Sequence, residues 1–278
     1  MPQNSWRPTV LVLASVDPDT GLKRLNPRWQ RAFMGLACDF IEIDPTCIQF
    51  TDLDQILQDI DGVLLTGGDI NIPPEFYGQR ADETQQRRLW NGNIPQYPFY
   101  RRRFEVSRHI IQYAEQTKTP LLAVCLGAQE VNVVFGGQHR QEIKNHLTKH
   151  ADTDDRWDEP HHDIIVEPDS LLAKCFGEAG QIPENSVHKQ GIVREELAKK
   201  LRIEAMAEDG RIVEAFSLPE HPFFLCTQFH VESTKPYPGN KRIFSAFIGE
   251  AKHKLAERVQ ALLQIDPLQR ECLDMVAE

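Results

Sequence analysis

Cys125 closes the apolar run Pro120-Leu-Leu-Ala-Val and is followed at once by Leu126-Gly127-Ala128-Gln129 and a helix-like segment reaching Phe135. A buried strand that turns sharply into a helix forms a nucleophile elbow. The sulfur projects at the strand's carboxyl end, and the free N–H groups of the helix N-terminus favour its thiolate. Gly127 supplies the small residue that such a turn needs. Far downstream, Pro222-Phe-Phe-Leu-Cys-Thr-Gln-Phe-His230-Val-Glu232 reads as a second buried strand ending in a His and a Glu two positions apart. Alternate residues of a strand point to the same face, so the pair can act together. A thiol nucleophile, an imidazole to move its proton and a carboxylate to hold the imidazole make up an acyl-transfer triad. Alone, Cys125 has a plainer reading as a small buried hydrophobe, and His230 as an ordinary strand-end histidine. The three residues in this arrangement make Cys125, His230 and Glu232 the candidate catalytic set.

The elements that must position them alternate in type. Val10 to Ala14, Phe40 to Ile43, Gly62 to Leu65 and Leu121 to Val124 have the continuous apolar character of parallel buried strands. Pro27 to Ala37, Leu53 to Ile60 and Pro98 to Gln116 read as the helices between them. That alternation predicts an α/β fold with a doubly wound, mostly parallel sheet flanked by helices, whose ligands bind at the strands' carboxyl ends. The strand over Gly62 to Leu65 runs into Thr66-Gly67-Gly68-Asp69, and glycines there let backbone approach a ligand. The N–H of Gly68 with that of Leu126 is the expected oxyanion hole. Further strands are expected over Asp163 to Val166, Ile203 to Ala207, Ile212 to Phe216 and Phe224 to Thr227, then an amphipathic helix near Lys241 to Leu263. The polar, Pro-interrupted stretch from Ile72 to Tyr97 reads as a long loop able to cover the site.

The 278 residues are 41% hydrophobic, enough for one sizeable core, and a single domain over 1–278 is the simplest organisation. A net charge of −10 argues against nucleic acid or an anionic membrane as partner, since either needs a basic face. The local run Arg101-Arg-Arg103 reads as a solvated helix start. The six cysteines are scattered without Cys-x-x-Cys pairs, which fits a reducing compartment. With a polar N-terminus and an apolar run too short to span a bilayer, a cytoplasmic location is expected. His146, His150, Asp152, Asp154, Asp155, Asp158, His161 and His162 match no ligand spacing and read as a polar loop, so no metal is expected.

Three blocks, Leu64-Leu-Thr-Gly-Gly-Asp69, Ala123-Val-Cys-Leu-Gly-Ala-Gln129 and Gln228-Phe-His-Val-Glu232, together resemble the class I glutamine amidotransferase superfamily, whose fold is flavodoxin-like. Arg103-Phe-Glu105, Gln129 to Gly137 and Asn185-Ser-Val-His-Lys-Gln190 narrow the resemblance to its peptidase C26 branch, particularly the gamma-glutamyl-gamma-aminobutyrate hydrolases. It covers a core of about residues 9–251, leaving 252–278 as a helical extension. Those hydrolases usually carry Arg where this chain has Leu126, whereas Cys-Leu-Gly is more typical of glutaminase subunits. The resemblance implies that Gly67, Gln129, Ser186 and Val187 line a pocket for the glutamyl group. His188 borders the same region, with a packing role equally open. Glu105 and Glu130 are expected as buried helix carboxylates satisfied by backbone or Arg. The implied activity is cofactor-free hydrolysis of a small gamma-glutamyl amide through a thioester on Cys125, in a chain that could form a homodimer. The alternatives are a glutaminase that passes ammonia to a separate synthase partner, and a non-catalytic sensor of glutamine or a gamma-glutamyl metabolite.

Overall fold

Apolar runs bounded by polar or glycine-containing segments become strands, and the amphipathic stretches between them become helices. The computed structural model describes residues 7–17, 20–68, 72–78, 97–140, 143, 162–188, 190–233 and 237–263. The first half runs β1 (Thr9–Leu13), β2 (Ser15–Val16), β3 (Lys23–Arg24), α1 (Pro27–Phe33), β4 (Asp39–Ile43), α2 (Phe50–Gln58), β5 (Gly62–Leu65), α3 (Tyr97–Thr117), β6 (Leu121–Val124) and α4 (Leu126–Val134). The second half adds β7 (His162–Val166), α5 (Leu171–Phe176), β8 (Gly180–Glu184), β9 (Arg202–Ala207), β10 (Val213–Ser217), β11 (Phe224–Thr227) and α6 (Pro238–Leu263).

Nine of these strands form one sheet in the order β4-β1-β5-β6-β11-β10-β9-β7-β8, while β2 and β3 pair as a separate hairpin. β4, β1, β5, β6 and β11 are joined by parallel ladders, and the remaining pairs are antiparallel. Side-chain alternation divides the interior in two. Val10, Val12, Leu64, Leu122 and Val124 pack against α1, α5 and α6 through Trp29, Phe176, Phe244 and Phe247. Leu11, Leu13, Val63, Leu65 and Ala123 face α2, α3 and α4 through Leu53, Leu57, Ile110 and Val131. Helices on both faces of the parallel half of the sheet are the expected doubly wound arrangement, and an antiparallel half extends it.

Some expectations are corrected. β4 is an edge strand rather than a buried one, with Phe40 and Ile41 exposed, because only β1 flanks it. α1 ends at Phe33 instead of Ala37, since Met34 leaves the helix with ψ of 126°. Arg103 is not solvated: it is fully buried, whereas Arg101 of the same run lies outside. Among the described residues no helix is long and apolar enough to cross a membrane. The expected covering loop is described only at its ends. Ile72 and Tyr77, the latter in a 3-10 turn over Pro74–Tyr77, are buried in a cluster with Leu126; residues 79–96 lie outside the described set, as does the tail beyond Leu263.

Candidate active site

β5, β6 and β11 lie side by side, so their carboxyl ends bring Gly67-Gly68, Cys125 and the segment after Thr227 to one place. Cys125 adopts φ 50° and ψ −106°, a left-handed backbone that a non-glycine residue takes only under constraint. Its N–H donates to Thr227 O at 2.7 Å and its carbonyl accepts from Gln129 N at 3.1 Å, so sheet and helix together enforce the elbow. The role of Gly127 is steric. A Cβ there would stand 2.6 Å from Leu65 O and 2.7 Å from Leu65 Cβ, so α4 can start this close to β5 only at a glycine.

His230 and Glu232 are not on the strand end anticipated from sequence, because β11 stops at Thr227 and both occupy the turn beyond it. Their proximity comes from that turn: His230 Nδ1–H donates to Glu232 Oε1 at 2.8 Å, and Ser233 N donates to His230 O at 3.2 Å. The carboxylate can only accept, which leaves Nε2 for the sulfur. Burial acts to lower the His230 pKa, but attraction to Glu232 and Cys125, with hydrogen bonds to both, raises it well above the ordinary value. The imidazole is thereby held toward its protonated form between thiol and carboxylate. Asn185 fixes the turn's backbone from the side, accepting from His230 N at 2.8 Å and donating to His230 O at 3.0 Å. Behind it, Glu184 accepts from the Asn185 backbone and side chain and from Asn240. Burial pushes the Glu184 carboxyl up to about 8, with those hydrogen bonds opposing it.

A Cβ at Gly67 would fall 2.8 Å from His230 Cε1 and 3.2 Å from Cys125 Cβ, so the nucleophile and its imidazole converge on that glycine. A Cβ at Gly68 would meet Ser15 Oγ at 2.1 Å and Leu126 Cδ2 at 3.2 Å, so Gly68 packs against Ser15 and the Leu126 side chain. Gln129 is buried one turn past Cys125, with its Nε2 donating to Gln228 Oε1 at 3.0 Å. Ser186 is fully buried and Val187 partly so, and Asn185 ties their segment to His230. His188 points into the interior: its Nδ1–H donates to Gln190 O at 2.8 Å, and its Nε2 is 3.8 Å from Glu214 Oε1. His162 reaches the other oxygen of Glu214 at 3.8 Å. Burial first, then the charges of Glu184 and Asp209, raise the Glu214 carboxyl well above the usual range. Glu130 is buried and paired with Arg103, whereas Glu105 meets Arg101 at the surface. Among the described residues no group of three or more His, Cys, Asp or Glu is disposed to hold a metal. Of the polar stretch from His146 to His162, only His162 falls within that set.

Asn185 and Gln228 lie in motif segments whose sequence alone assigns neither residue a role. The signal available was a pair of buried-type amides flanking the apolar, His-containing motifs. The partner of each is set by a contact across the sheet that spacing does not encode.

The peptidase C26 family model matches residues 43–232. The chain is 32% identical over 216 residues to the gamma-glutamyl-gamma-aminobutyrate hydrolase PuuD of Escherichia coli K12, covering 74% of this chain and 78% of that one. It is 29% identical over 181 residues to the CTP synthase of Rhodococcus opacus, covering 54% of this chain and 30% of the synthase. A Thermotoga maritima glutamine amidotransferase structure superposes with a TM-score of 0.54 at 18% identity, covering 95% of this chain and 88% of that chain. The Trypanosoma brucei CTP synthase glutaminase domain with bound acivicin gives 0.55 at 18%, covering 86% and 93%. The fold is that of class I glutamine amidotransferase-like proteins. Within it, the chain belongs to the peptidase C26 family and is a hydrolase.

Proposed function

We propose that this protein hydrolyses the gamma-glutamyl amide bond of a small gamma-glutamyl amine or amino acid conjugate, such as gamma-glutamyl-gamma-aminobutyrate. The observation that carries the reading is the buried His230, bonded on one side to Cys125 and on the other to Glu232 at a strained elbow. The likeness to the Escherichia coli hydrolase supports the substrate class.

In this mechanism the Cys125 thiolate adds to the gamma-carbonyl carbon, and the carbonyl electron pair moves onto oxygen, where the Gly68 and Leu126 N–H groups receive it. Collapse breaks the C–N bond while His230 Nε2 gives its proton to the departing amine. Glu232 keeps the Nδ1 proton in place throughout. A water then loses its proton to His230 and attacks the thioester, and breaking the C–S bond returns the thiolate and releases glutamate. Gly67, Gln129, Ser186 and Val187 are the proposed walls of the glutamyl pocket, with Gln129 oriented by Gln228. Thiol, imidazole, carboxylate and backbone amides supply all of the steps.

A second reading is favoured by Leu126 after the nucleophile and by the likeness to amidotransferase structures: a glutaminase whose ammonia passes to a separate synthase. Glutamate release from gamma-glutamyl amines and from glutamine, measured for the wild type and Cys125→Ala, separates the two. Turnover of the amines, lost in the variant, supports the hydrolase; turnover of glutamine alone supports the glutaminase.

A further inference from the structure

Arg103 on α3 is completely buried. Its Nη1 donates to Ala14 O at 2.5 Å, Nη2 to Thr66 O at 2.8 Å, and Nε to Glu130 Oε1 at 3.1 Å, with Nη2 also 3.4 Å from Glu130 Oε2. These acceptors come from three segments. Thr66 immediately precedes Gly67-Gly68. Glu130 lies one helical turn beyond Leu126. Ala14 precedes Ser15, whose Oγ fills the place a Gly68 Cβ would take. Every segment that builds the proposed oxyanion hole is therefore attached to one planar cation.

The physical need for such an attachment is specific. A peptide is planar and trans, so a Thr66 carbonyl aimed at the guanidinium turns the Gly67 N–H the opposite way. The next peptide, between Gly67 and Gly68, carries the oxyanion donor and has a glycine on each side. Its backbone is free to rotate and present a carbonyl in place of the N–H. Arg103 pins this dipeptide at the Thr66 end, and Ser15 packs against it at Gly68. Burying an ion pair costs more than burying apolar residues of similar volume, and the neighbouring Phe104, Leu126 and Val133 show that the region accepts them. The fixed fork of an arginine offers what they cannot, several simultaneous directed donors.

We propose that Arg103, charge-balanced by Glu130, is a positioning residue that holds the Gly67-Gly68 peptide and the first turn of α4 with both N–H groups facing the developing oxyanion. This rests on the reading of Cys125 as an acyl-transfer nucleophile. Its test compares two reactions of the same thiol in Glu130→Gln and Arg103→Lys. Alkylation by iodoacetamide displaces iodide at a saturated carbon and forms no oxyanion, whereas amide hydrolysis requires one. Because losing a whole oxyanion donor costs about 10²–10³ in rate, a loosened one is expected to lower kcat about 10- to 100-fold. KM should stay within about threefold and alkylation within about twofold. If Arg103→Lys does not fold, the near-isosteric Glu130→Gln carries the test, with near-ultraviolet circular dichroism as the fold control. A folded variant that keeps wild-type kcat, or loses alkylation and hydrolysis in equal measure, overturns the proposal. Should the wild type cleave no gamma-glutamyl amide, the functional reading fails, and p-nitrophenyl acetate still reads the clamp. Slower Cys125 acylation in the variants supports it, and equal rates overturn it.

Discussion

Replacing Glu232 by Gln keeps the size of the side chain and removes its charge from beside His230. The two atoms are 2.8 Å apart and both side chains are almost fully buried. Coulomb's law at that separation, with an effective dielectric of about 20, gives ~6 kcal/mol of attraction between unit charges. At about 1.4 kcal/mol per tenfold in rate, the ceiling is a loss of ~10⁴. Two effects reduce it: the amide is less costly to bury than a carboxylate, and its oxygen can still accept from Nδ1. The expected fall in kcat is therefore about 10²–10⁴-fold, followed by glutamate release from gamma-glutamyl-gamma-aminobutyrate under saturating conditions. The pH profile carries a second signature. Attraction to Glu232 is one of the forces that raise the His230 pKa against burial, so without it the imidazolium is lost at lower pH. The alkaline limb should move toward acid. A variant within about fivefold of wild type with an unmoved limb would refute the assignment, because a buried charge this close cannot be neutral to the chemistry.

Gly67→Ala should place a methyl 2.8 Å from His230 Cε1 and 3.2 Å from Cys125 Cβ. Activity should fall at least about 100-fold, and a folded, fully active variant would show that the convergence at Gly67 is not functional. Asn185→Ala removes the two side-chain bonds from Asn185 to the His230 backbone; His230 O keeps Ser233 N, whereas His230 N loses its acceptor. A buried group left without its partner costs about 1–3 kcal/mol, so thermal unfolding should report a loss of about 1–3 kcal/mol together with lower activity. His139 is buried against the Tyr77 ring. Burial lowers its pKa from 6.5 to about 4, partly opposed by Gln190. Its contribution is fully present above pH 6.5 and is lost as pH falls from 6.5 through 4, in total about 3 kcal/mol. Glu184, raised to about 8, acts with the opposite sign, stabilising at low pH and losing that contribution as pH rises through 8. The difference in unfolding free energy between wild type and His139→Phe at pH 7 and pH 5 isolates the His139 share; equal pH dependence in both would exclude it.

The parts of the fold legible in the sequence are those in which one local signal was sufficient. β5 and β6 are short unbroken apolar runs, and their observed limits coincide with the expected ones. β8 went unread because Gly180-Gln-Ile-Pro-Glu184 is polar and proline-containing; it is tolerated as an edge strand paired only with β7. α5 went unread although its ends carried the usual marks, a Ser170 side chain capping Ala173 N and Gly177 in the left-handed conformation. It is six residues long, too short for periodicity to show. At the site, the elbow was legible because thiol and glycine sit two residues apart in the chain; the strand Phe224 to Thr227 was met as well, but His230 and Glu232 lie in the turn beyond it rather than on its end. In the arginine run, three identical side chains share a helix start, and only packing against Ala14, Thr66 and Glu130 selects Arg103 for the interior. Asn185, Gln228 and Glu184 were missed for the same reason, since each acts through a partner distant in sequence or supplied by the turn after β11.

The most direct test of the central claim is glutamate release from gamma-glutamyl-gamma-aminobutyrate, gamma-glutamylputrescine, other gamma-glutamyl amines and glutamine, with wild type and Cys125→Ala assayed side by side. The account predicts release from one or more of the gamma-glutamyl amines by the wild type and none from the variant. Equal release by both proteins, or no release by a folded wild type whose Cys125 reacts as an ordinary buried thiol, would contradict it.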